Sequence, residues 1–272
     1  MPAAGRGSRL GALTADRPKG LVPVAGEPLL AHVFRALIDT GVEELVVVIG
    51  YRGEAIVERF GDAVDGVPIT YAHQRERRGL GHAVSLAEPH VDGPFLVLNG
   101  DNVLRGTPDR PVEAFRTVRE RDNEGSANGG SGGGDATNPV PVDAVLAVER
   151  ADLETARETG VVSVEGAESG GSDRSGPPTE WPATGVAVTD VVEKPENPST
   201  TLVTTGCYVL DPVAFRALAL VEPSARGEIE LADAVRLLLR AGRGVRAVGL
   251  GTERVNVNRP PDLERAATLL EA

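Results

Sequence analysis

Residues 95–101 read Phe95-Leu96-Val97-Leu98-Asn99-Gly100-Asp101, and this stretch decides the fold class. Its run of apolar residues predicts a short strand buried on both faces, and Leu45–Ile49 is a second run of this kind. Helix-like segments separate such runs, which favours an α/β fold with a largely parallel sheet. In open sheets of this class ligands bind at the carboxyl ends of the strands, which is where Asp101 stands.

The same patterns continue along the chain. Helical spacing of apolar residues predicts helices at 28–40, 53–60, 79–87, 211–218, 229–240 and 262–270. Further strands are predicted at 69–72, 142–148, 161–164, 186–192 and 203–210. Two polar segments, 123–138 and 166–184, cannot bury apolar surface, so we predict mobile surface insertions there. Residues 1–272 are otherwise expected to form a single domain.

Composition excludes several classes of function. The chain carries 40 acidic and 28 basic side chains, a net charge of −12, which speaks against a nucleic-acid-binding surface. The acid excess, two lysines and five phenylalanines suggest a halophilic protein in a salt-rich cytoplasm. The single cysteine, Cys207, excludes an internal disulfide framework and a cysteine-based zinc site. The sequence has no apolar run of about twenty residues, so we expect no membrane-spanning segment.

The first motif with chemical content lies at the N-terminus. The segment 3–10, Ala-Ala-Gly-Arg-Gly-Ser-Arg-Leu, is followed by Arg17-Pro18-Lys19. Its two glycines, Gly5 and Gly7, let the backbone turn sharply and bring N–H groups against an anion. A glycine-rich stretch alone is more often a plain turn. The phosphate-binding interpretation is favoured by the hydroxyl and the positive charges of Ser8, Arg9 and Lys19.

Two further motifs follow predicted strands. Gln74 stands after a strand and offers a paired donor and acceptor for a nucleobase edge, with Gly79-Leu80-Gly81-His82-Ala83 a few residues on. The alternative, a solvated glutamine before a loose helix start, is favoured if this motif is taken alone, and His82 fits a structural role better than a catalytic one. Asp101 is a natural Mg²⁺ ligand where phosphates supply other oxygens, or else it caps a turn.

Taken in order with Glu193-Lys194-Pro195 and Thr205-Gly206-Cys207-Tyr208, these motifs resemble the sugar-1-phosphate nucleotidyltransferase family. The stretch 71–76, Tyr-Ala-His-Gln-Arg-Glu, together with the later Gly-Leu-Gly-His-Ala at 79–83, is similar to uridylyltransferases that act on glucose 1-phosphate, including haloarchaeal ones. The chain as a whole also resembles glucose-1-phosphate thymidylyltransferases. The resemblance implies a Rossmann-like α/β/α domain with a mixed, mostly parallel sheet and an inserted sugar-binding region. It also implies transfer of a nucleotidyl group from UTP or dTTP to a sugar 1-phosphate. Pyrophosphate would be released, and the nucleotide-sugar would serve glycosylation.

The resemblance also assigns roles to single residues. The triphosphate would be held by Ala4, Gly5, Gly7, Ser8 and Arg9. The base would be read by Gln74, Gly79 and Gly81. The sugar and its phosphate would be bound by Gly160, Glu193, Lys194 and Gly206. The catalytic set would be Arg9, Lys19 and Asp101, with Mg²⁺ on Asp101 as the cofactor.

Two departures from the family pattern matter. Family members usually begin with an apolar strand before Ala-Ala-Gly, whereas here only Met1 and Pro2 precede Ala3, so we expect a truncated first strand and a true start upstream. The intact mass of the native protein would test that expectation. Asn256 stands where an aspartate commonly serves as the second Mg²⁺ ligand, and a neutral amide oxygen holds the ion less strongly.

Other functions remain open at this point. The fold could serve a GTP-dependent mannose-1-phosphate guanylyltransferase, because the motifs fix neither base nor sugar. The two departures also suit a non-catalytic regulatory paralogue that binds a nucleotide-sugar, although Lys19 and Asp101 favour an enzyme. The oligomeric state cannot be read from the sequence, and a homo-oligomer is possible. No nucleic-acid or membrane partner is expected.

Overall fold

The computed structural model describes residues 1–127, 141–166 and 181–271. Most of the two predicted surface insertions, 123–138 and 166–184, lies outside these residues. Residues 123–127, at the start of the first predicted insertion, belong to a helix, Asp109–Ala127. Within the described ranges, no helix has the length and apolar content that crossing a bilayer requires.

The elements alternate along the first half of the chain, as expected. The helices are α1 Leu29–Ile38, α2 Gly53–Phe60, α3 Gly79–Ser85, α4 Asp109–Ala127, α5 Leu153–Glu158, α6 Val213–Leu218, α7 Leu231–Arg240 and α8 Pro260–Glu271. The strands are β1 Pro23–Val24, β2 Glu27–Pro28, β3 Leu45–Ile49, β4 Ala63–Val64, β5 Val67–His73, β6 Phe95–Leu98, β7 Asn102–Leu104, β8 Val142–Arg150, β9 Gly160–Val164, β10 Val186–Glu193, β11 Leu202–Leu210, β12 Gly244–Gly249 and β13 Arg254–Asn256.

The main sheet has the strand order β6-β11-β8-β12-β10-β9, and a smaller sheet has the order β3-β5-β4. The pairs β8–β12 and β3–β5 are parallel, whereas β11 runs antiparallel to β6, β8 and β9. The predicted mixed α/β fold is confirmed, but most described ladders are antiparallel, so the sheet is less parallel than expected. The reason is that β11 is buried along its whole length, and burial on both faces does not fix strand direction.

The first residues of the chain connect the two sheets. Met1 and Ala3 bond to β3 through Val48 N–H to Met1 O, 2.9 Å, and Ala3 N–H to Val48 O, 2.8 Å. On the other side Gly100 N–H donates to Pro2 O over 2.9 Å. This short run occupies the place of a first strand between β3 and the end of β6. It therefore delivers the glycine-rich segment 4–9 to the carboxyl ends of both strands.

Helices cover the sheets on both sides and complete the core. The largest apolar cluster joins the main sheet to α6 and α7, and a second joins β3 to α1. A third cluster packs α4 on β8 and β11 through Ala114, Phe115 and Val118. The loops after β3, β5 and β6 consequently gather at one end of the molecule. The segment after β13 joins them, since Val257 N–H donates to Asp101 O over 2.9 Å.

Candidate active site

A cleft of about 420 Å³ opens where these loops meet. It is lined by most of the residues predicted for the nucleotide, namely Ala4, Gly5, Gly7, Ser8, Arg9, Lys19, Gln74, Gly79 and Asp101. The remaining polar lining consists of residues that were not predicted, namely Arg6, Arg77, Asn99, Glu228 and Asn258. The structure thus brings together segments that are far apart in the sequence.

The glycine-rich segment is shaped by one close contact. Gly7 has a φ of +68°, and a β-carbon there would lie 2.9 Å from Cβ of Lys19, so only glycine fits. Gly7 O accepts hydrogen bonds from Leu10 N–H and from the Thr14 hydroxyl, each at 2.9 Å. In contrast, a β-carbon on Gly5 would meet nothing within 4 Å. Gly7 therefore packs the segment onto Lys19, whereas the backbone at Gly5 faces open space.

Lys19 and Asp101 form an ion pair inside the cleft. Lys19 Nζ lies 2.8 Å from Asp101 Oδ2, and the lysine side chain is only 11% exposed. The ammonium also donates to Asn258 Oδ1 over 3.0 Å. Because both acceptors come from other parts of the chain, the position of the positive charge is fixed by the fold. A fixed cation beside a carboxylate is suited to binding phosphate and a metal ion together.

Arg9 lies at the exposed rim of the cleft. Its guanidinium is 3.9 Å from Glu158 Oε2 at the end of α5, and Arg259 Nη2 is 3.8 Å from Glu158 Oε1. All three side chains are more than half exposed, so these pairs contribute little to stability. The side chain of Arg9 therefore remains available to a triphosphate.

The predicted base-reading residues are only partly brought to the cleft. Gln74 follows β5, lines the cleft and donates from Nε2 to Gly79 O over 3.0 Å. Gly81 does not line it, and β-carbons on Gly79 and Gly81 would lie 2.7 and 2.8 Å from Ile229 O. The missing β-carbons at both positions therefore make room for the backbone at Ile229, whereas both glycines were predicted to contact the base. His82 Nδ1 lies 3.0 Å from Gln74 Nε2, and burial lowers the pKa of this histidine.

Three of the predicted sugar-binding residues meet at the edge of the main sheet. Gly160 pairs with Glu193 in the β9–β10 ladder, and a β-carbon on Gly160 would lie 3.1 Å from Glu193 Oε2. Lys194 has a φ of +47°, and its Nζ is 3.4 Å from Glu193 Oε1. Burial raises the pKa of Glu193, and the charge of Lys194 opposes that rise. These three residues form a second polar group outside the lining of the cleft.

Gly206, the fourth predicted sugar residue, lies against a residue of the cleft lining. It has a φ of +75°, and a β-carbon there would lie 2.5 Å from Nδ2 of Asn99, which lines the cleft. The backbones of the two residues are also hydrogen-bonded, since Asn99 N–H donates to Gly206 O over 2.9 Å. Within the part of the chain that the structure describes, Asn99 Oδ1 is buried and has no hydrogen-bond partner. An acceptor of this kind is available to a bound ligand.

A comparison with known families decides the identity of this arrangement. The chain matches the family model described as nucleotidyl transferase over residues 3–130 and 145–251. It belongs to the nucleotidyl transferase family. The predicted family is therefore confirmed, and the cleft lies within the matched residues except for Pro2 and Asn258.

Two nucleotidyl transferases show how far the likeness reaches. The UTP–glucose-1-phosphate uridylyltransferase AglF of Haloferax volcanii is 38% identical over 270 residues, which is 99% of this chain and 94% of that protein. The glucose-1-phosphate thymidylyltransferase of Streptomyces griseus is 30% identical over 247 residues, 90% of this chain and 58% of that protein.

Solved structures extend the likeness to the fold. A UDP-glucose pyrophosphorylase complexed with UDP-glucose is 22% identical, with a TM-score of 0.76, over 98% of this chain and 95% of that one. A putative glucose-1-phosphate thymidylyltransferase from Bacillus anthracis has the same TM-score and identity over 99% of this chain and 93% of that one. At this identity the likeness supports the nucleotidyl transferase fold alone.

Two buried side-chain oxygen atoms have the chemistry of metal ligands. Asp101 Oδ1 and Asn256 Oδ1 are both buried and have no hydrogen-bond partner in the described ranges of the chain. Among the described residues, no group of three or more His, Cys, Asp or Glu side chains could hold a metal by itself. One carboxylate with an amide oxygen suits Mg²⁺, which takes its other ligands from phosphates and water. Asn256 is not part of the cleft lining, whereas Asn258 is, so the assignment of Asn256 to the metal stays a prediction.

The cleft residues that sequence reasoning missed had weak local signals. Asn99 stands in the stretch that decides the fold, but a single asparagine after a strand has no pattern that distinguishes it as a site residue. Glu228 belongs to the segment 226–230, whose position against α3 depends on Gly81 N–H donating to Ile229 O over 2.8 Å. Asn258 contacts a lysine 239 residues away in the sequence, and no local pattern reports such a contact.

Proposed function

We propose that this protein transfers a nucleotidyl group from UTP or dTTP to a sugar 1-phosphate, with glucose 1-phosphate as the best candidate. The observation that carries the proposal is the Lys19–Asp101 pair, 2.8 Å apart, in a cleft lined by the glycine-rich segment. The uridylyltransferase AglF supports the choice of UTP and glucose 1-phosphate. The thymidylyltransferase supports dTTP as the other nucleotide.

The reaction joins two anions, so the protein must position them and reduce their repulsion. A phosphate oxygen of the sugar 1-phosphate attacks the α-phosphorus, a new P–O bond forms, and the bond to the departing pyrophosphate breaks. Lys19 supplies a buried positive charge beside the phosphates, and Arg9 supplies a second one from the rim. The attacking oxygen is already ionised, so no side chain needs to remove a proton or form a covalent intermediate.

We also propose Mg²⁺ as the cofactor. Asp101 would hold it through Oδ1, with Asn256 as a second oxygen ligand, because both atoms are buried and lack partners. When bound, the ion would neutralise charge on the phosphates. Lys19 would keep its bond to Asp101 Oδ2, so one carboxylate would serve both cations.

Pyrophosphate release by the purified protein tests the proposal. Glucose 1-phosphate and mannose 1-phosphate are each combined with UTP, dTTP and GTP in the presence of Mg²⁺. Release with UTP or dTTP and glucose 1-phosphate is expected. Release with GTP and mannose 1-phosphate alone would support the guanylyltransferase alternative. No release with any pair, in a protein that still binds a nucleotide-sugar, would support the regulatory alternative.

We further propose that the protein is halophilic and acts in the cytoplasm. The net charge of −12 supports the first, because dense negative charge is tolerated where salt screens repulsion. The presence of one cysteine only, Cys207, which is buried and unpaired, is consistent with a reducing compartment. Unfolding measured across a salt series tests the first proposal, and equal stability at low and high salt would contradict it.

A further inference from the structure

We infer that Asn258 is a positioning residue that holds the Lys19 ammonium in place while Asp101 also holds the metal ion. This inference rests on the proposed function. It starts from one contact: Lys19 Nζ donates to Asn258 Oδ1 over 3.0 Å and to Asp101 Oδ2 over 2.8 Å. The lysine side chain is almost completely buried, so water cannot easily replace a lost acceptor.

The two acceptors of Lys19 differ in charge. Asp101 is negative, and its second oxygen is free to bind a cation, so its hold on the lysine weakens when that cation draws on the same carboxylate. Asn258 is neutral, and its amide oxygen neither repels phosphate nor competes strongly for a metal ion. An ammonium group has three N–H donors. With Asp101 and Asn258 accepting two of them, one donor is left for a phosphate oxygen.

The position of Asn258 is fixed by its own surroundings. Asp262 Oδ2 accepts hydrogen bonds from Asn258 N–H, 2.8 Å, and Arg259 N–H, 2.7 Å. One residue earlier, Val257 N–H donates to Asp101 O over 2.9 Å. The turn before α8 is therefore tied both to the helix and to the segment that carries Asp101. The Asn258 amide is held close to Lys19 before any ligand arrives.

Asparagine at position 258 is better suited to holding the Lys19 ammonium than alanine, glycine or aspartate would be. Alanine or glycine at position 258 would leave Lys19 with Asp101 as its remaining acceptor. Aspartate would place a second negative charge on the ammonium and against the triphosphate, which costs binding energy for an anionic substrate. The neutral acceptor keeps the positive charge of Lys19 available to the phosphates.

A double-mutant cycle tests the inference with four proteins: wild type, Asn258→Ala, Lys19→Met and the double variant. Steady-state pyrophosphate release is measured with UTP and glucose 1-phosphate each varied. We expect Asn258→Ala to lower kcat by about ten- to a hundredfold, the range for a lost hydrogen bond to a charged group. KM for glucose 1-phosphate should change by about twofold or less, because residues outside the cleft lining are predicted to bind the sugar.

The Lys19→Met background is the matched control. There Asn258→Ala should cause no further loss, because the partner of Asn258 is gone. Lys19→Met can abolish turnover. The Kd for UTP in the absence of sugar phosphate is therefore also measured for all four proteins of the cycle. Thermal unfolding of all four proteins checks that each is folded.

An increase in the Kd for UTP that Asn258→Ala causes equally in both backgrounds would overturn the inference, because Asn258 would then act independently of Lys19. An Asn258→Ala variant with wild-type kcat would overturn it as well. Failure of the proposed function is a separate outcome. It would show as an inactive wild type with every substrate pair, while the Kd cycle would still report on Asn258.

Discussion

Gly206 and Asn99 stand so close that a β-carbon on residue 206 would lie 2.5 Å from Nδ2 of Asn99. Gly206 lies in β11, which is buried along its length, and Asn99 follows the neighbouring strand β6 and lines the cleft. The absence of a side chain at position 206 therefore determines where the Asn99 amide lies. Gly206, which was predicted to approach the sugar, therefore contacts the lining of the cleft at Asn99.

Gly206→Ala should displace Asn99 and reduce activity. The new methyl group must push aside the Asn99 amide, and alanine at a φ of +75° costs about 1–2 kcal/mol in addition. We expect kcat/KM for the sugar 1-phosphate to fall by about tenfold or more, together with a lower Tm. Gly242→Ala is the control, because Gly242 has a φ of +70° and open space around its β-carbon position. A similar loss of activity in both variants would contradict the role of the contact.

Arginine should not replace either lysine, although 26 of the 28 basic residues of this chain are arginines. Lys19 Nζ meets two acceptors at 2.8 and 3.0 Å, and a longer planar guanidinium cannot place a donor at the same point. We expect Lys19→Arg to lower kcat and Lys194→Arg to raise KM for the sugar 1-phosphate, each by about tenfold. Arg240→Lys, at the exposed end of α7, should leave both constants unchanged. Full activity of either lysine variant would show that turnover does not require an ammonium group at that position.

The sequence was informative where local pattern and burial coincide. The predictions for β3 and α2 agree with the structure at both ends, because a continuous apolar run and a periodic apolar face are local signals. The helix α4 was missed, because the polar residues of its second half mask the short apolar face at 114–118. Asn258 was missed for another reason. Its place in the cleft depends on a hydrogen bond with Lys19, which is 239 residues away in the sequence. The prediction of a mostly parallel sheet was also wrong, because the burial of a strand carries no information about its direction.

Asn256→Asp should strengthen Mg²⁺ binding. Asn256 Oδ1 is a buried neutral oxygen without a partner, and a carboxylate there would add charge to a site that contains Asp101. We expect the Mg²⁺ concentration for half-maximal activity to fall by about tenfold, with a matching fall in the Kd for Mg²⁺ measured by calorimetry without substrates. Glu264→Gln on α8 changes an exposed carboxylate and serves as the control. If neither quantity changes in the Asn256 variant, this residue lies outside the metal site.

Glu193 should make stability depend on pH. Burial raises its pKa above the ordinary 4.5, the charge of Lys194 opposes the rise, and that of Glu230 adds to it. An acid whose pKa is raised on folding favours the folded state below its unfolded pKa, and this contribution is lost as the pH rises through the folded pKa. The Tm of the Glu193→Gln variant minus that of wild type should therefore increase as the pH rises above about 4.5. The exposed Glu196→Gln serves as the control, and a difference independent of pH would contradict the prediction.

Arg243 forms an ion pair with the Asp143 carboxylate of the main sheet. Asp143 is almost fully buried in β8 and accepts two hydrogen bonds from the Arg243 guanidinium, both at 2.7 Å. Removing the arginine leaves a buried negative charge without its partner, which is a strongly destabilising change. Because Arg243 itself is partly exposed, water can enter in its place, so we expect Arg243→Ala to lower the free energy of unfolding by about 2 kcal/mol. Urea unfolding measures this loss, and the Asp143→Asn/Arg243→Ala double variant should recover part of it, since the unpaired charge is then absent.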